Sequence, residues 1–503
     1  MFVMSRTDSS SSRVALAVLV TTITALSGCT VGPDYRGAPQ VADGAVRATT
    51  FVRAPAVSVT PTHAPSKWWT TLGDARLDAL IDAALAHNQD LHAAQARLRE
   101  SRAQLQQQRA QAMPTVSADA AALRMREPDL SGLQSSQQAS TNTASTGQQA
   151  TSTSGGRGPL QLYTAGFDAS WELDLFGGTR RAVEAASAQS EAVDADLADT
   201  QVSLAAEVAQ AYIGLRDQQQ RLALANRSAD LEQQTLALIR QRRARGVGTD
   251  ADVERQTTQV ENTRATLIPL DEQITESLDQ LALLTGQAPG ALDNELSAPA
   301  PLPVLPATVP VNDPATMLQQ RPDIRAAERR LASSNAQIGE HTADLFPKVT
   351  LLGFIGSDGG DPGQLTHKSS FTWLGVPYLQ WDVLDFGRTR GSIRQAEASR
   401  DEAIARYTQT VLAALQDANN ALSRYGHQRD TVVRLQQIDV SSDRSATLMR
   451  QRYDAGASSM IDLLDTQRAQ FTAQQNLVEG QADLLKDFVS LQKSLGLGWS
   501  SAQ

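Results

Sequence analysis

The chain has 503 residues, 45 Lys+Arg against 55 Asp+Glu, a formal net charge of −10 and a single cysteine. The acidic balance argues against nucleic acid as the main partner, because phosphate binding needs clustered Lys and Arg. One cysteine excludes an internal disulfide or a multi-cysteine metal site. The hydrophobic fraction is 41 % but the aromatic fraction only 5 %, a balance that suits long, thinly packed helices better than one thick core.

The first segment reads as an address. Arg6 and Arg13 precede an apolar run from Val14 to Ala25, followed by Leu26, Ser27, Gly28 and Cys29. A basic start, a short apolar stretch and small residues make residues 1–28 a secretory signal peptide, too short to be a stable anchor. The only cysteine falls directly after Leu-Ser-Gly, which resembles a bacterial lipobox, in which the thiol of Cys29 becomes acylated. Several acyl chains on one residue anchor where a single chain does not. Thr30 stands where an Asp would signal inner-membrane retention, so the resemblance implies an outer-membrane destination. Residues 29–73 then form an extended lead, expected to wrap a helical shaft.

A first helix is predicted over about residues 74–112, stopping before Pro114. Next comes a weak strand pattern at 115–123, a Ser/Thr/Gln/Gly tract from Ser131 to Gly158 that reads as a flexible loop, and a clear alternation. Tyr163, Ala165, Phe167, Ala169, Trp171, Leu173 and Leu175 share one face. Asp168, Glu172 and Asp174 share the other. Period two with acids opposite aromatics predicts a strand between an apolar and an aqueous phase. From about Arg181 to Arg243 no proline occurs, and Val208, Leu215, Leu222, Ala229 and Leu236 recur every seven residues. This predicts a single helix roughly 90 Å long with coiled-coil packing. Gly246 should reverse the chain into a return helix over 250–284, which Pro269 should kink or split. A Pro/Ala-rich connector covers 287–313.

The order then repeats. Trp171, Phe176, Gly177, Thr179 and Arg180 recur 210 residues later as Trp381, Phe386, Gly387, Thr389 and Arg390. Upstream, Leu85, Asp90, Leu98 and Pro114 recur 233 residues later as Leu318, Asp323, Leu331 and Pro347. Residues 74–286 and 314–496 therefore read as two copies of one unit, each with a helix, two strands and a helical hairpin, and 497–503 as a tail. The second copy places strands at 348–356 and 371–382 and a turn at Gly456. The return helix plus the first helix only slightly exceeds the long helix in length, so the two should stack end to end along it.

No segment after the N-terminus offers the roughly 20 apolar residues of a spanning helix, so a membrane could be crossed only by strands. Four strands cannot close a barrel, and open edges are not tolerated in lipid. The chain must then oligomerise, and the assembled object would be a conduit. A non-porous structural coiled-coil lipoprotein is the alternative.

The stretch Cys29-Thr-Val-Gly32-Pro33-Asp34-Tyr35, followed by Trp68-Trp69 and by Leu77-Asp-Ala-Leu-Ile81 through Asn88-Gln-Asp90-Leu91, resembles the NodT-type efflux lipoproteins of the TolC-like outer-membrane factor family. That resemblance implies an α+β membrane protein: a homotrimer whose 12-stranded β-barrel, four strands per chain, continues as a coiled-coil α-helical barrel into the periplasm. It implies an outer-membrane channel that exports small molecules such as drugs, with no catalysis or cofactor of its own. The implied partners are a periplasmic adaptor protein, an inner-membrane pump of the resistance-nodulation-division type and outer-membrane lipid. A channel for type I protein secretion is the variant reading.

The resemblance also carries roles at the hairpin turns, Gly246 and Gly456. Asp462 and Asp465 match acids that ring the closed periplasmic gate, and Asp252 and Tyr453 match latch positions between hairpins. Ser458 stands where the family often has a basic residue, which turns attention to Arg452 or Arg255 as latch partners. The plainer role for the three acids is stabilisation of a helix N-terminus. Arg180, Arg181, Arg388 and Arg390, just beyond the strands, are expected at anionic headgroups. The six histidines show no metal-ligand clustering, and the Gly-rich stretch Gly353–Gly360 lacks the lysine of a phosphate-binding loop.

Overall fold

The computed structural model describes residues 30–54, 59–60, 65–125 and 160–499. In chain order the elements are α1 (Asp43–Val46), β1 (Val59–Thr60), a 3₁₀ turn (Trp68–Leu72), α2 (Ala75–His87), α3 (Gln89–Gln111), β2 (Thr115–Met125) and β3 (Leu160–Leu173). Then follow α4 (Gly178–Ala244), α5 (Asp250–Leu284), α6 (Asp293–Leu296), β4 (Val309–Pro310), α7 (Pro314–Gln320) and α8 (Pro322–Ala343). The chain ends with β5 (Lys348–Gly359), β6 (Phe371–Gln380), α9 (Arg388–Asp454) and α10 (Met460–Ser494).

Two compact units are present. The first comprises the chain up to Asp34, Gln104–Ala185 and Asn335–Glu397; the second comprises Tyr35–Ala103, Ala186–Ser334 and Ala398 onward.

The first unit is built on a four-stranded sheet in the order β2-β3-β5-β6, antiparallel throughout. In the first hairpin Thr115 faces Ser170, and in the second Lys348 faces Gln380. These partners lie 233 and 210 residues apart in sequence. The joint between the hairpins sets Phe167 opposite Ile355 and Trp171 opposite Leu351. Each hairpin is pinned to the helix before it by a tryptophan: Trp171 Nε1 donates to the Ala112 carbonyl and Trp381 Nε1 to the Leu345 carbonyl, both at 3.0 Å.

The second unit is helical. α4 and α9 have 67 residues each, and α5 and α10 have 35 each. The heptad residues Val208, Leu215, Ala229 and Leu236 of α4 are buried, as their spacing requires. At the centre of the core, Trp68 packs edge-on against Trp69 and Phe488, at 5.7 and 6.0 Å between centroids. The lead and the connector meet in a two-residue parallel bridge, Val59 beside Val309, and Phe51 of the lead is buried.

Three expectations change. The predicted helix over 74–112 is two helices, because Asn88 leaves the helical region (φ −64°, ψ 132°) and its side chain accepts from Asp90 N and Leu91 N at 2.9 and 3.0 Å. Arg321, ahead of Pro322, makes the equivalent break at ψ 121°. Only α3 and α8 therefore continue from the return helices, as the junctions show: Asn88 Nδ2 donates to the Leu284 carbonyl (3.0 Å) and Arg321 Nη1 to the Ser494 carbonyl (2.7 Å). Pro269 does not split α5; buried Val260, Leu270, Ile274 and Leu278 on both sides of it hold the helix together despite the missing donor.

Candidate functional site

The hairpin turns are built by the same local chemistry twice. Gly246 has φ 77° and Gly456 φ 74°, a left-handed conformation that disfavours any side chain. In each turn the residue after the glycine donates back across six residues, Val247 N to Arg242 O (3.0 Å) and Ala457 N to Arg452 O (2.8 Å). The glycines themselves donate to Arg243 O and Tyr453 O, both at 2.9 Å. This is a Schellman closure, which satisfies carbonyls that the helix end would orphan.

Each following helix opens with a reciprocal cap. Asp252 N donates to Thr249 Oγ1 (3.2 Å), while Thr249 N and Oγ1 donate to Asp252 Oδ2 (3.3 and 2.7 Å). Ser459 and Asp462 repeat the arrangement at 3.2, 3.1 and 2.7 Å. Thr249 and Ser459, respectively, hold these carboxyls below the usual range by hydroxyl and backbone hydrogen bonds, which favour the charged form. Asp465 pairs with Arg468 at 3.3 Å.

Of the side-chain links that join the first hairpin to the second, two lie toward the turns. Arg242 donates to the Tyr453 hydroxyl and its guanidinium lies 5.5 Å from the centroid of that ring. Deeper in, Arg468 Nη2 donates to Gln259 Oε1 at 2.6 Å. Of the two latch candidates, Tyr453 thus makes a contact between hairpins, whereas Asp252 caps its own helix and pairs with Arg255 at 3.7 Å. Arg452 turns to the Ala457 carbonyl of its own loop (3.5 Å). The basic partner in the link is Arg242, on the last turn of α4.

The sheet has two chemically distinct faces. From Val116 to Ala122, Tyr163 to Leu173, Val349 to Gly359 and Phe371 to Leu379, one set of alternate residues carries no charge; Phe167, Ile355 and Trp373 form one row across it, and all three are exposed. The other face holds Asp119, Asp168, Glu172 and Asp358. Bulky apolar side chains stay exposed only where a nonaqueous phase or a partner covers them. Among the described residues no helix is long and apolar enough to cross a membrane.

At the end of the strands the basic cluster departs from expectation. Arg181 is buried, its side chain only 5 % exposed, and forms ion pairs with Asp34 (2.6 Å) and Glu184 (2.8 Å). Its Nε donates to the Val31 carbonyl (3.2 Å). Arg180 pairs with Asp174 at 3.2 Å. Arg181 is thus a clamp on the lead rather than a headgroup ligand, whereas Arg180, Arg388 and Arg390 are exposed. The clamp is completed by Val31 N donating to Phe176 O (3.1 Å) and Asn335 Nδ2 to Pro33 O (2.9 Å). Cys29 and the Ser131–Gly158 tract lie outside the described residues. No group of His, Cys, Asp or Glu able to hold a metal occurs among the described residues.

Comparison with known proteins places this geometry. The outer membrane efflux protein family matches residues 80–287 and 314–497. Outer membrane protein OprJ of Pseudomonas aeruginosa is 30 % identical over 481 residues, covering 95 % of each chain. Nodulation protein T of Rhizobium leguminosarum bv. trifolii is 29 % identical over 481 residues, covering 94 % of this chain and 96 % of that one. The solved structure of the outer-membrane channel OprN superposes with a TM-score of 0.83 at 35 % identity, covering 94 % of this chain and all of that one.

Proposed function

The chain belongs to the outer membrane efflux protein family, and on that premise we propose that it is the outer-membrane channel subunit of a tripartite efflux pump, exporting small molecules. The sheet carries the reading: one face, free of charge until Arg124 near the end of β2, exposes Phe167, Ile355 and Trp373 and suits lipid, and its acid-bearing face suits a water-filled bore. Three copies would supply 12 strands and close the edges that lipid forbids, with the long hairpins forming a helical tube into the periplasm. Long and return helices of equal length and hairpins of equivalent register, spaced by 210 and 233 residues, support two copies of one unit in each chain, over 74–286 and 314–496.

In this reading Cys29 is acylated, and the clamp of Arg181 and Asn335 on residues 31–34 ties the anchor to the ends of the strands. The hairpin turns form the periplasmic mouth. Asp462 and Asp465 ring it, and Arg242 with Tyr453 latches it shut. Asp462 combines that role with its cap, because one oxygen carries the cap while the charge remains exposed. A periplasmic adaptor and an inner-membrane pump of the resistance-nodulation-division type supply engagement and energy. The test is deletion of the gene, followed by susceptibility to a panel of antibiotics, dyes and detergents. Increased susceptibility, restored by the intact gene, is expected; an unchanged panel would refute export of such compounds.

A further inference from the structure

The acid-bearing face of the sheet is not polar throughout. On the first hairpin it carries Ser117, Asp119, Asp168 and Ser170, but on the second it carries Leu352, Phe354, Leu374 and Val376. Leu352, Leu374 and Val376 are exposed, on a face where a water-filled bore would call for polar side chains. The two halves meet in one row across the strands: Ser117, Asp168, Phe354 and Leu374 each stand directly opposite the next.

Two glycines seat Phe354. Gly166 of β3 and Gly356 of β5 stand opposite each other in the adjacent row. A Cβ built on Gly166 would lie 2.8 Å from Phe354 Cε2, and one built on Gly356 2.7 Å from Phe354 Cζ. The ring therefore lies over bare backbone, where two side chains would otherwise stand, with one face on the sheet and the other turned off it. Asp119 is opposite Gly166, so carboxylates flank the ring in both rows, Asp168 in its own and Asp119 in the next. Neither row contains a Lys or Arg. Ser117 Oγ donates to Asp119 Oδ2 at 3.0 Å, which fixes that carboxylate beside the ring.

We propose that Phe354, Leu374, Asp119 and Asp168 form a binding site for lipophilic organic cations on the wall of the bore. This site rests on the channel reading and adds to it a wall that selects among cargoes. The face of an aromatic ring attracts a cation placed over it, the two carboxylates add attraction of the same sign, and Leu374 covers apolar substituents. A hydrated metal ion gains only the charge attraction, because it keeps its water. A neutral apolar solute gains only the ring and the leucine. A cation whose charge sits among aromatic or alkyl substituents gains both, so this class is the one the wall holds best. Any side chain at Gly166 or Gly356 would lift the ring from its seat, which accounts for glycine at both positions.

The test is block of ionic current. The full, acylated chain is reconstituted in planar bilayers, and the potassium current is titrated with tetraphenylphosphonium and with tetramethylammonium. Tetraphenylphosphonium should halve the current at a concentration at least about tenfold lower than tetramethylammonium. F354T should raise the half-blocking concentration of tetraphenylphosphonium about three- to tenfold, whereas F354Y, which keeps the ring, should stay close to wild type. F354L fills the same seat without a ring face and should fall between them, which keeps the test available if F354T fails to assemble. D119N together with D168N should weaken block by both cations. Tetraphenylphosphonium that enters the bilayer acts equally on every variant, so the differences between variants report the wall. Current steps with equal block by the two cations, or block unchanged in F354T and F354L, would overturn the site alone. Assembled protein that gives no current steps would overturn the channel reading and the site with it.

Discussion

Replacing Arg242 with alanine should open the periplasmic mouth. The guanidinium donates to the Tyr453 hydroxyl and lies over its ring at 5.5 Å, linking the two hairpins at their tips. An exposed cation–π contact contributes about 0.5–1 kcal/mol, and an exposed hydrogen bond about 0.5 kcal/mol after solvent competition. Each chain then contributes about 1–1.5 kcal/mol to the closed state. Three chains moving together give about 3–4.5 kcal/mol, roughly a hundred- to two-thousandfold shift toward open. Y453F keeps the ring and loses the acceptor, so it should shift the balance less, by roughly tenfold. Single-channel recording in planar bilayers reads this as a rise in mean conductance, graded wild type, Y453F, R242A. Unchanged conductance in R242A, with assembly and thermal stability intact, would refute the latch.

Other expected outcomes follow from the same geometry. R181M removes the cation that Asp34 and Glu184 share, and both carboxylates are partly solvated, so the cost should be about 1–2 kcal/mol rather than the 3–5 kcal/mol of a fully buried pair; limited proteolysis should cut the lead faster, and an unchanged rate would contradict the clamp. The carboxyls of Asp252 and Asp462 are held below their ordinary range, so the caps stabilise the turns fully above the ordinary carboxyl pKa and lose that contribution as pH falls through the lowered values. Amide exchange at residues 249–252 and 459–462 should accelerate in that acid window, and D252N together with D462N should abolish the pH dependence. G456A should cost about 1 kcal/mol at the second turn, measured as local exchange, with little change in melting of the long helices.

Much of the fold was legible because its signals are local and periodic. The heptads of α4 and the alternation of β3 follow directly from 3.6- and 2-residue geometry, and all four strands fall within a few residues of their predicted positions. The tip caps could be read as Thr249 and Ser459, each three residues before an Asp. The breaks at Asn88 and Arg321 carried signals too, an Asn followed by Asp90 and an Arg before Pro322, but a continuous helical pattern outweighed them. Arg181 and Arg242 were not legible in their roles. Their partners Asp34 and Tyr453 lie 147 and 211 residues away, so only the folded chain brings them together.

Electron cryomicroscopy of the purified, acylated protein in lipid nanodiscs tests the central claim most directly. Three copies around one continuous bore are expected, with Phe167 and Trp373 against lipid and Asp168 and Glu172 against water. A single chain in the disc, or lipid density against the acid-bearing face, would contradict the account.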